Sequence, residues 1–141
     1  MKRFSIFLFV LLLPFSIQAS GWIEQDAGTM QSLRGITESN GSLVAVGNTG
    51  NMMRSTDGGA SWSLIDKFSN VWWHDVITEP NGDIAAIGES GAYAKSSDGG
   101  ETWTPLSVGL TVHLYGIDRT DEYGYIVGID GEALYYSNST G

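Results

Sequence analysis

Two aspartates, Asp57 and Asp98, lie in matching eight-residue segments whose composition suggests either a metal loop or a turn. The segments are Ser55-Thr56-Asp57-Gly58-Gly59-Ala60-Ser61-Trp62 and Ser96-Ser97-Asp98-Gly99-Gly100-Glu101-Thr102-Trp103, at an offset of 41 residues. They have some of the look of a calcium loop, but they lack the ligand spacing and terminal glutamate of an EF-hand. The pattern instead favours a structural hairpin loop in which the aspartate accepts backbone hydrogen bonds and the tryptophan begins the next strand. The residues expected to hold these two box loops are Ser55, Asp57, Gly59, Ser61, Trp62, Ser96, Asp98, Gly100, Thr102 and Trp103.

Other residues capable of chemistry are few and scattered. His74 and His113 are the only histidines, whereas a metal site needs three or four ligands at fixed geometry. The 16 acidic residues could supply a carboxylate pair, but no spacing singles one out. The chain has no cysteine, which excludes thiolate chemistry and a disulfide framework. We therefore expect no catalytic residue, no metal and no cofactor.

Internal repetition is the strongest pattern in the chain. Around the boxes, residues 37–41 match 78–82 and residues 43–47 match 84–88 at the same offset of 41. Residues 124–128 form a third, weaker copy, and Trp22 lies 40 residues before Trp62. With the phase set at the tryptophan, the units are about 21–60, 61–101 and 102–141. A period near 40 residues with short strands is typical of β-propellers.

Each unit is predicted to contain four short strands and no helix, because runs rich in Val, Ile, Tyr and Trp are bounded by Gly, Asn, Asp and Ser. The first strand begins at the tryptophan, as at 61–64. In the adjacent pair Trp72-Trp73, we expect one ring in the core and the other at the surface. The remaining strands are predicted at 33–37, 73–78 and 114–118, then 43–46, 84–87 and 125–127, then 51–55, 92–96 and 133–137.

The N-terminus predicts export. Met1-Lys2-Arg3 is basic, residues 4–15 are almost wholly apolar, and residues 16–20 are small or polar. This order is typical of a secretory signal peptide over 1–19, and an apolar run of about 12 residues is too short to span a bilayer. The remaining chain, 20–141, then has a formal net charge near −11, which disfavours nucleic acid and anionic lipid as partners. We expect a periplasmic or extracellular protein.

The box loops resemble the Asp-box, or BNR, repeat of sialidase-like propellers. The box loops follow an apolar strand that ends in glycine, as in Leu43-Val44-Ala45-Val46-Gly47. This combination of strand and box is similar to the repeat of photosystem II stability/assembly factor-like propellers over essentially all of residues 21–141. The resemblance implies an all-β fold of three four-stranded blades or part-blades. Propellers close with about four to eight blades, so we expect an incomplete ring or one closed by oligomerisation, for example as a homodimer.

The resemblance implies a non-catalytic, protein-binding assembly factor, located in the thylakoid lumen only if the host is photosynthetic. A fragment of an Asp-box glycosidase and a surface or adhesion scaffold remain alternatives. A sialidase-like site needs an arginine cluster, but Arg34, Arg54 and Arg119 fall at non-equivalent positions in their units. In sialidase-like folds the functional face lies away from the boxes. Strand order places Asn48, Glu89 and Asp130 on that face, which we expect to contact the partner protein.

Overall fold

The computed structural model describes residues 21–65 and 70–137, and within them the chain forms eleven β-strands and three short 3-10 turns. The predicted signal peptide and residues 138–141 lie outside the described residues. No helix within the described ranges is long and apolar enough to cross a membrane. The strands are β1 Leu33–Ser39, β2 Ser42–Gly47, β3 Met52–Ser55, β4 Ser63–Leu64, β5 Trp73–Thr78, β6 Ile84–Gly88, β7 Ala92–Ser96, β8 Thr104–Ser107, β9 Leu114–Arg119, β10 Tyr123–Gly128 and β11 Ala133–Ser137.

The strands form three antiparallel sheets. Sheet 1 has the order β1-β2-β3-β4, sheet 2 has β5-β6-β7-β8, and sheet 3 has β9-β10-β11. Tight turns allow this up-and-down order: in the first hairpin Asn40 and Gly41 have φ values of 51° and 80°. Positive φ at both positions is the geometry that the Asn-Gly pair favours in two-residue hairpins. The prediction of an all-β fold is confirmed.

The Trp-led strands join the preceding sheet. β4 pairs with β3 and β8 pairs with β7, so sheets 1 and 2 each run from one unit of the sequence into the next. The repeat units, whose phase was set at the tryptophan, therefore differ from the sheets by one strand. The difference arises because the box loop is a hairpin, and a hairpin pairs the strands on its two sides.

The sheets stack through their first strands. The Thr37 and Thr78 hydroxyls are 2.9 Å apart, which joins β1 to β5. The Asp75 carboxylate accepts a hydrogen bond of 3.1 Å from the Ile117 N–H, which joins β5 to β9. The first strands thus lie side by side.

The core lies mainly between sheets 1 and 2. The pleat of a strand points alternate side chains to the same face of its sheet. The side chains on the facing sides of sheets 1 and 2 pack together with almost no solvent exposure. The buried cluster consists of Val44, Val46 and Met52 from sheet 1 with Trp73, Val76, Ile84, Ala86 and Ala94 from sheet 2. Trp73 is 2% exposed and Trp72 is 38% exposed, which confirms the split predicted for this pair.

Candidate functional site

The first box loop is organised by the Asp57 carboxylate. Its Oδ1 accepts hydrogen bonds from the Ser55 hydroxyl at 2.8 Å and from the Ser61 N–H at 2.9 Å. Its Oδ2 accepts one from the Ser61 hydroxyl, and Ser55 Oγ accepts one from the Gly59 N–H at 2.9 Å. Gly58 and Gly59 have φ values of 72° and 92°, which glycine adopts at no steric cost. Both carboxylate oxygens are therefore occupied by donors of the loop itself.

The second box loop repeats this geometry around Asp98. Asp98 accepts hydrogen bonds from the Ser96 hydroxyl at 2.7 Å and from the Thr102 N–H at 2.9 Å, and the Thr102 hydroxyl also donates to it. The Trp103 indole N–H donates to the Gly100 carbonyl at 3.1 Å. These contacts within the box hold the conformation of the loop, and the described residues hold no cluster of three metal-ligating side chains.

The hydrogen bonds stabilise the charged form of both aspartates. The Ser61 hydroxyl, the Ser61 N–H and the Ser55 hydroxyl lower the pKa of Asp57 to about 2 from an ordinary value of 3.8. For Asp98, burial acts to raise the pKa, but the bonds from Thr102 and Ser96 outweigh it, and the pKa falls to about 2. Each loop is therefore stabilised by an ionised carboxylate.

This lowered pKa predicts an acid-dependent stability. A carboxyl group whose folded-state pKa lies below its unfolded value stabilises the fold above the unfolded pKa, and that contribution is lost as pH falls toward the folded pKa. We expect the urea midpoint to fall between pH about 4 and about 2. The Asp57→Asn/Asp98→Asn variant should be less stable at pH 7, and its difference from wild type should shrink across this window. Glu101→Gln, a change in the same loop, is the control, and a constant difference at every pH would contradict the prediction.

The second box loop also joins two sheets. The Arg54 guanidinium, on β3 of sheet 1, donates from Nε to the Gly99 carbonyl at 2.8 Å and from Nη2 to the Ser42 hydroxyl at 3.3 Å. A Cβ built on Gly100 would lie 2.4 Å from Cγ2 of Val44. The loop of sheet 2 is therefore packed directly on sheet 1, which gives this end of the stack a structural role.

The opposite end of the sheets carries a surface that we call the turn face. It consists of the turns Asn48–Gly50, Glu89–Gly91 and Ile129–Gly131 together with the residues that begin β1, β5 and β9. Each turn is tied to the start of its own sheet, because the amides of Asn48, Glu89 and Ile129 donate to the carbonyls of Ser32, Trp72 and His113 at 2.9–3.0 Å. Two turns also bind the connection to the next sheet, since Gly50 and Gly91 donate to the carbonyls of Val71 and Val112.

Gly91 provides a test of how tightly this face is built. It has a φ of +74°, and a Cβ there would lie 1.8 Å from the Leu110 carbonyl oxygen. Gly91→Ala should cost about 1–2 kcal/mol for the left-handed backbone and about 1–3 kcal/mol more for overpacking. Gly131→Ala is the matched control, because Gly131 has a φ of +79° with nothing within 4 Å. Equal losses of unfolding free energy in the two variants, measured by urea titration, would contradict the close packing.

Arg34 and Trp72 form one pair of side chains on the turn face. The Arg34 guanidinium lies 5.4 Å from the centroid of the Trp72 ring. Its Nε donates to Asn48 Oδ1 at 2.6 Å, which fixes the guanidinium over the ring. This pair presents a partly exposed aromatic surface with a positive charge, a combination that binds carboxylates and aromatic rings.

Two histidines and a tyrosine continue this surface. The His74 and Tyr115 rings lie 4.9 Å apart, and His113 Nδ1 accepts a hydrogen bond from the Ser90 N–H at 3.3 Å. Burial lowers the pKa of His74, the nearby Arg34 and His113 add to that effect, and Glu89 opposes it. The neutral imidazole of His74 is therefore favoured beside the positive charge of Arg34.

The residues predicted from the sequence for this face lie in its turns. Asn48, Glu89 and Asp130 occupy the three turns. Four further residues belong to the same surface, although their sequence positions did not indicate it: Arg34, Trp72, His74 and Tyr115. The repeat period could have predicted the contact between His74 and Tyr115. The two residues are 41 positions apart, and equivalent positions on successive first strands lie side by side.

The three arginines of the described chain do not converge. Arg34 lies over Trp72 on the turn face, and Arg54 contacts the second box loop. Arg119 lies 3.0 Å from the Glu79 carboxylate and 4.9 Å from the centroid of the Tyr136 ring. The cluster of arginines that a sialidase-like site needs is therefore not assembled by these residues.

The stack of three antiparallel sheets is the architecture of an incomplete, open β-propeller. Solved structures of similar fold include YCF48 from Cyanidioschyzon merolae, with a TM-score of 0.63 and 21% sequence identity over 78% of this chain. YCF48 bound to D1 peptide gives a TM-score of 0.62 and 21% identity over 79% of this chain. The aligned region is 38% of each of those chains. No protein-family model matches the sequence, and no curated protein matches it.

Proposed function

We propose that this chain is a non-catalytic propeller module that binds a protein partner through the turn face. The observation that carries the proposal is the exposed aromatic pair Trp72 and Tyr115, 38% and 48% exposed, held in place by Arg34 and His74. Tryptophan, tyrosine and arginine are the residues most enriched in binding hot spots. The acidic side chains of Glu89 and Asp130 on the adjacent turns add charge selectivity at the rim.

The turns themselves favour a binding role. Thr49, Ser90 and Asp130 have φ values of 53°, 55° and 59°, at the same position in each turn. Left-handed backbone is unfavourable for residues with a Cβ, and such strain often marks functional sites. The repetition gives three similarly shaped loop tips on one face, of which Ser90 and Asp130 are exposed and Thr49 is half-buried.

A polypeptide is the class of ligand that we propose. One of the similar structures is YCF48 bound to D1 peptide, and the box loops resemble those of photosystem II assembly factor-like propellers. On this basis we propose that the chain has an assembly-factor-like role and that it is exported. The proposal of export depends on the predicted signal peptide. Mass spectrometry of the secreted protein tests it, because cleavage should leave a chain that begins at residue 20.

The test is a fluorescence anisotropy titration of labelled D1 peptide with the chain. We expect saturable binding, and we expect Arg34→Ala and Trp72→Ala each to weaken it about tenfold, which corresponds to about 1.4 kcal/mol. Charge reversal at both Glu89 and Asp130 should also weaken the binding. Glu101→Gln, at the opposite end of the sheets, is the control and should bind like wild type.

The results test binding at the turn face separately from the assembly-factor-like role. Binding that is unchanged by all turn-face variants would overturn the assignment of the face. Failure of the D1 peptide to bind would contradict the assembly-factor-like role. Circular dichroism of each variant shows whether a loss of binding reflects a loss of folding.

A further inference from the structure

Two Asn-Gly pairs occupy equivalent hairpins at the end of the sheets that carries the box loops. Asn40-Gly41 joins β1 to β2, and Asn81-Gly82 lies between β5 and β6, 41 residues further along the chain. Both asparagine side chains are exposed. An asparagine side chain that precedes a glycine is open to attack by the glycine nitrogen, because glycine has no Cβ to hinder the approach. The contacts of each hairpin decide whether the fold promotes or prevents this reaction.

The glycine N–H has a different acceptor in each hairpin. The Gly41 N–H donates to Glu38 Oε1 at 2.7 Å, whereas the Gly82 N–H donates to the backbone carbonyl of Glu79 at 2.9 Å. The attacking nitrogen must give up its proton, and a carboxylate within hydrogen-bond distance can take that proton as a general base. A backbone carbonyl is far too weak a base for this step. Only the first of the two hairpins therefore has a base at the attacking nitrogen.

The asparagine side chains are also held differently. The Asn81 amide is fixed at both ends, because Nδ2 donates to Asp83 Oδ2 at 2.8 Å and Oδ1 accepts a hydrogen bond from the Asp83 N–H at 3.1 Å. The Asn40 side chain makes one longer hydrogen bond within the described residues, from Nδ2 to Ser39 Oγ at 3.2 Å. Rotation of the side chain toward the next nitrogen therefore breaks two hydrogen bonds at Asn81 and one at Asn40.

We propose that Asn40 is a site of self-catalysed deamidation in which the Glu38 carboxylate acts as the base. The Gly41 nitrogen attacks Cγ of Asn40 and passes its proton to Glu38. The new C–N bond closes a succinimide ring, and the bond from Cγ to Nδ2 breaks as ammonia leaves with that proton. Water then opens the ring at either carbonyl and leaves aspartate or isoaspartate at position 40. The reaction consumes water, releases ammonia and needs no oxidant or reductant.

The modification alters a hairpin that contacts the neighbouring sheet. Ser39 Oγ donates to the Gly82 carbonyl at 2.7 Å, and Asn40 Nδ2 lies 3.2 Å from the position of a Cβ built on Gly82. A carboxylate at position 40 has no hydrogen to donate to Ser39. Isoaspartate also adds a methylene to the backbone of a turn that sets the register of β1 and β2. Deamidation therefore weakens the contact between sheets 1 and 2 at this end.

Peptide mapping of the full chain measures both sites in one sample. Trypsin cleaves after lysine and arginine, which places the two Asn-Gly pairs in separate peptides, 35–54 and 68–95. The folded protein is held at neutral pH and digested at intervals, and fragment masses locate the conversion of amide to acid. We expect Asn40 to react at least about tenfold faster than Asn81, the low end of what a general base contributes. In urea, where neither hairpin is formed, the two sites should react at similar rates.

The Glu38→Gln variant tests the role of the base. It keeps an acceptor for the Gly41 N–H but loses the carboxylate, so the reaction at Asn40 should slow at least about tenfold while Asn81 is unchanged. Glu132→Gln, which removes an exposed carboxylate at the opposite end of the sheets, is the control and should change neither rate. Equal rates at the two sites in the folded protein, or a slower reaction of Asn40 in the folded protein than in urea, would overturn the proposal. A Glu38→Gln variant that reacts as fast as wild type would also overturn it.

Discussion

Replacing both cations around Glu79, in a Lys95→Met/Arg119→Met variant, should lower the free energy of unfolding by about 3–5 kcal/mol. The Glu79 side chain is 2% exposed and lies 2.5 Å from Lys95 Nζ and 3.0 Å from Arg119 Nη1. Without these partners a carboxylate would remain buried with no opposite charge in contact, which is the costly arrangement. Arg119 comes from β9, so this contact also joins sheet 3 to sheet 2.

A third substitution separates this cause from simple loss of packing. Adding Glu79→Met to the double variant removes the buried charge, so most of the lost stability should return. Urea unfolding followed by tryptophan fluorescence measures all three proteins. A triple variant as unstable as the double variant would show that the ion pairs act mainly through the packing of their aliphatic stems.

The Trp73→Ala variant should lose about 3–5 kcal/mol, the usual cost of removing a large aromatic side chain from a core. Trp73 is 2% exposed and belongs to the cluster that joins sheets 1 and 2. Because the two sheets share this cluster, the cavity would weaken their contact as well as the packing within sheet 2. The expected result is a lower urea midpoint. The m value, the slope of the unfolding free energy against urea concentration, should stay near that of wild type.

Trp72→Ala is the matched control for this prediction. Trp72 is the preceding residue of the same type, but it is 38% exposed and lies beneath the Arg34 guanidinium. Its removal should cost about 1 kcal/mol or less in stability, while it weakens binding at the turn face. Similar losses of stability in the two variants would contradict the assignment of Trp73 to the core.

The sequence by itself determined the strands and the box loops, because these depend on local interactions. The strands Trp73–Thr78, Ala92–Ser96 and Ala133–Ser137 have the predicted bounds. The Asp57 carboxylate bonds only to residues within four positions of itself, so the eight-residue motif contains the whole arrangement. The propeller-type stack of sheets followed from the repeat period near 40 residues.

Only the tertiary structure decided which side chains meet across sheets. The Glu79–Arg119 pair joins residues 40 apart, and Arg34 reaches Trp72 from another sheet. The pairing register shifts once near the start of each sheet. The shift falls after Leu33 in β1, after Trp73 in β5 and after Val127 in β10. A shift of one residue moves a side chain to the opposite face of a sheet. Simple alternation therefore could not predict which residues at the starts of β1, β5 and β9 reach the turn face, because that depends on the packing of each turn against its neighbouring sheet.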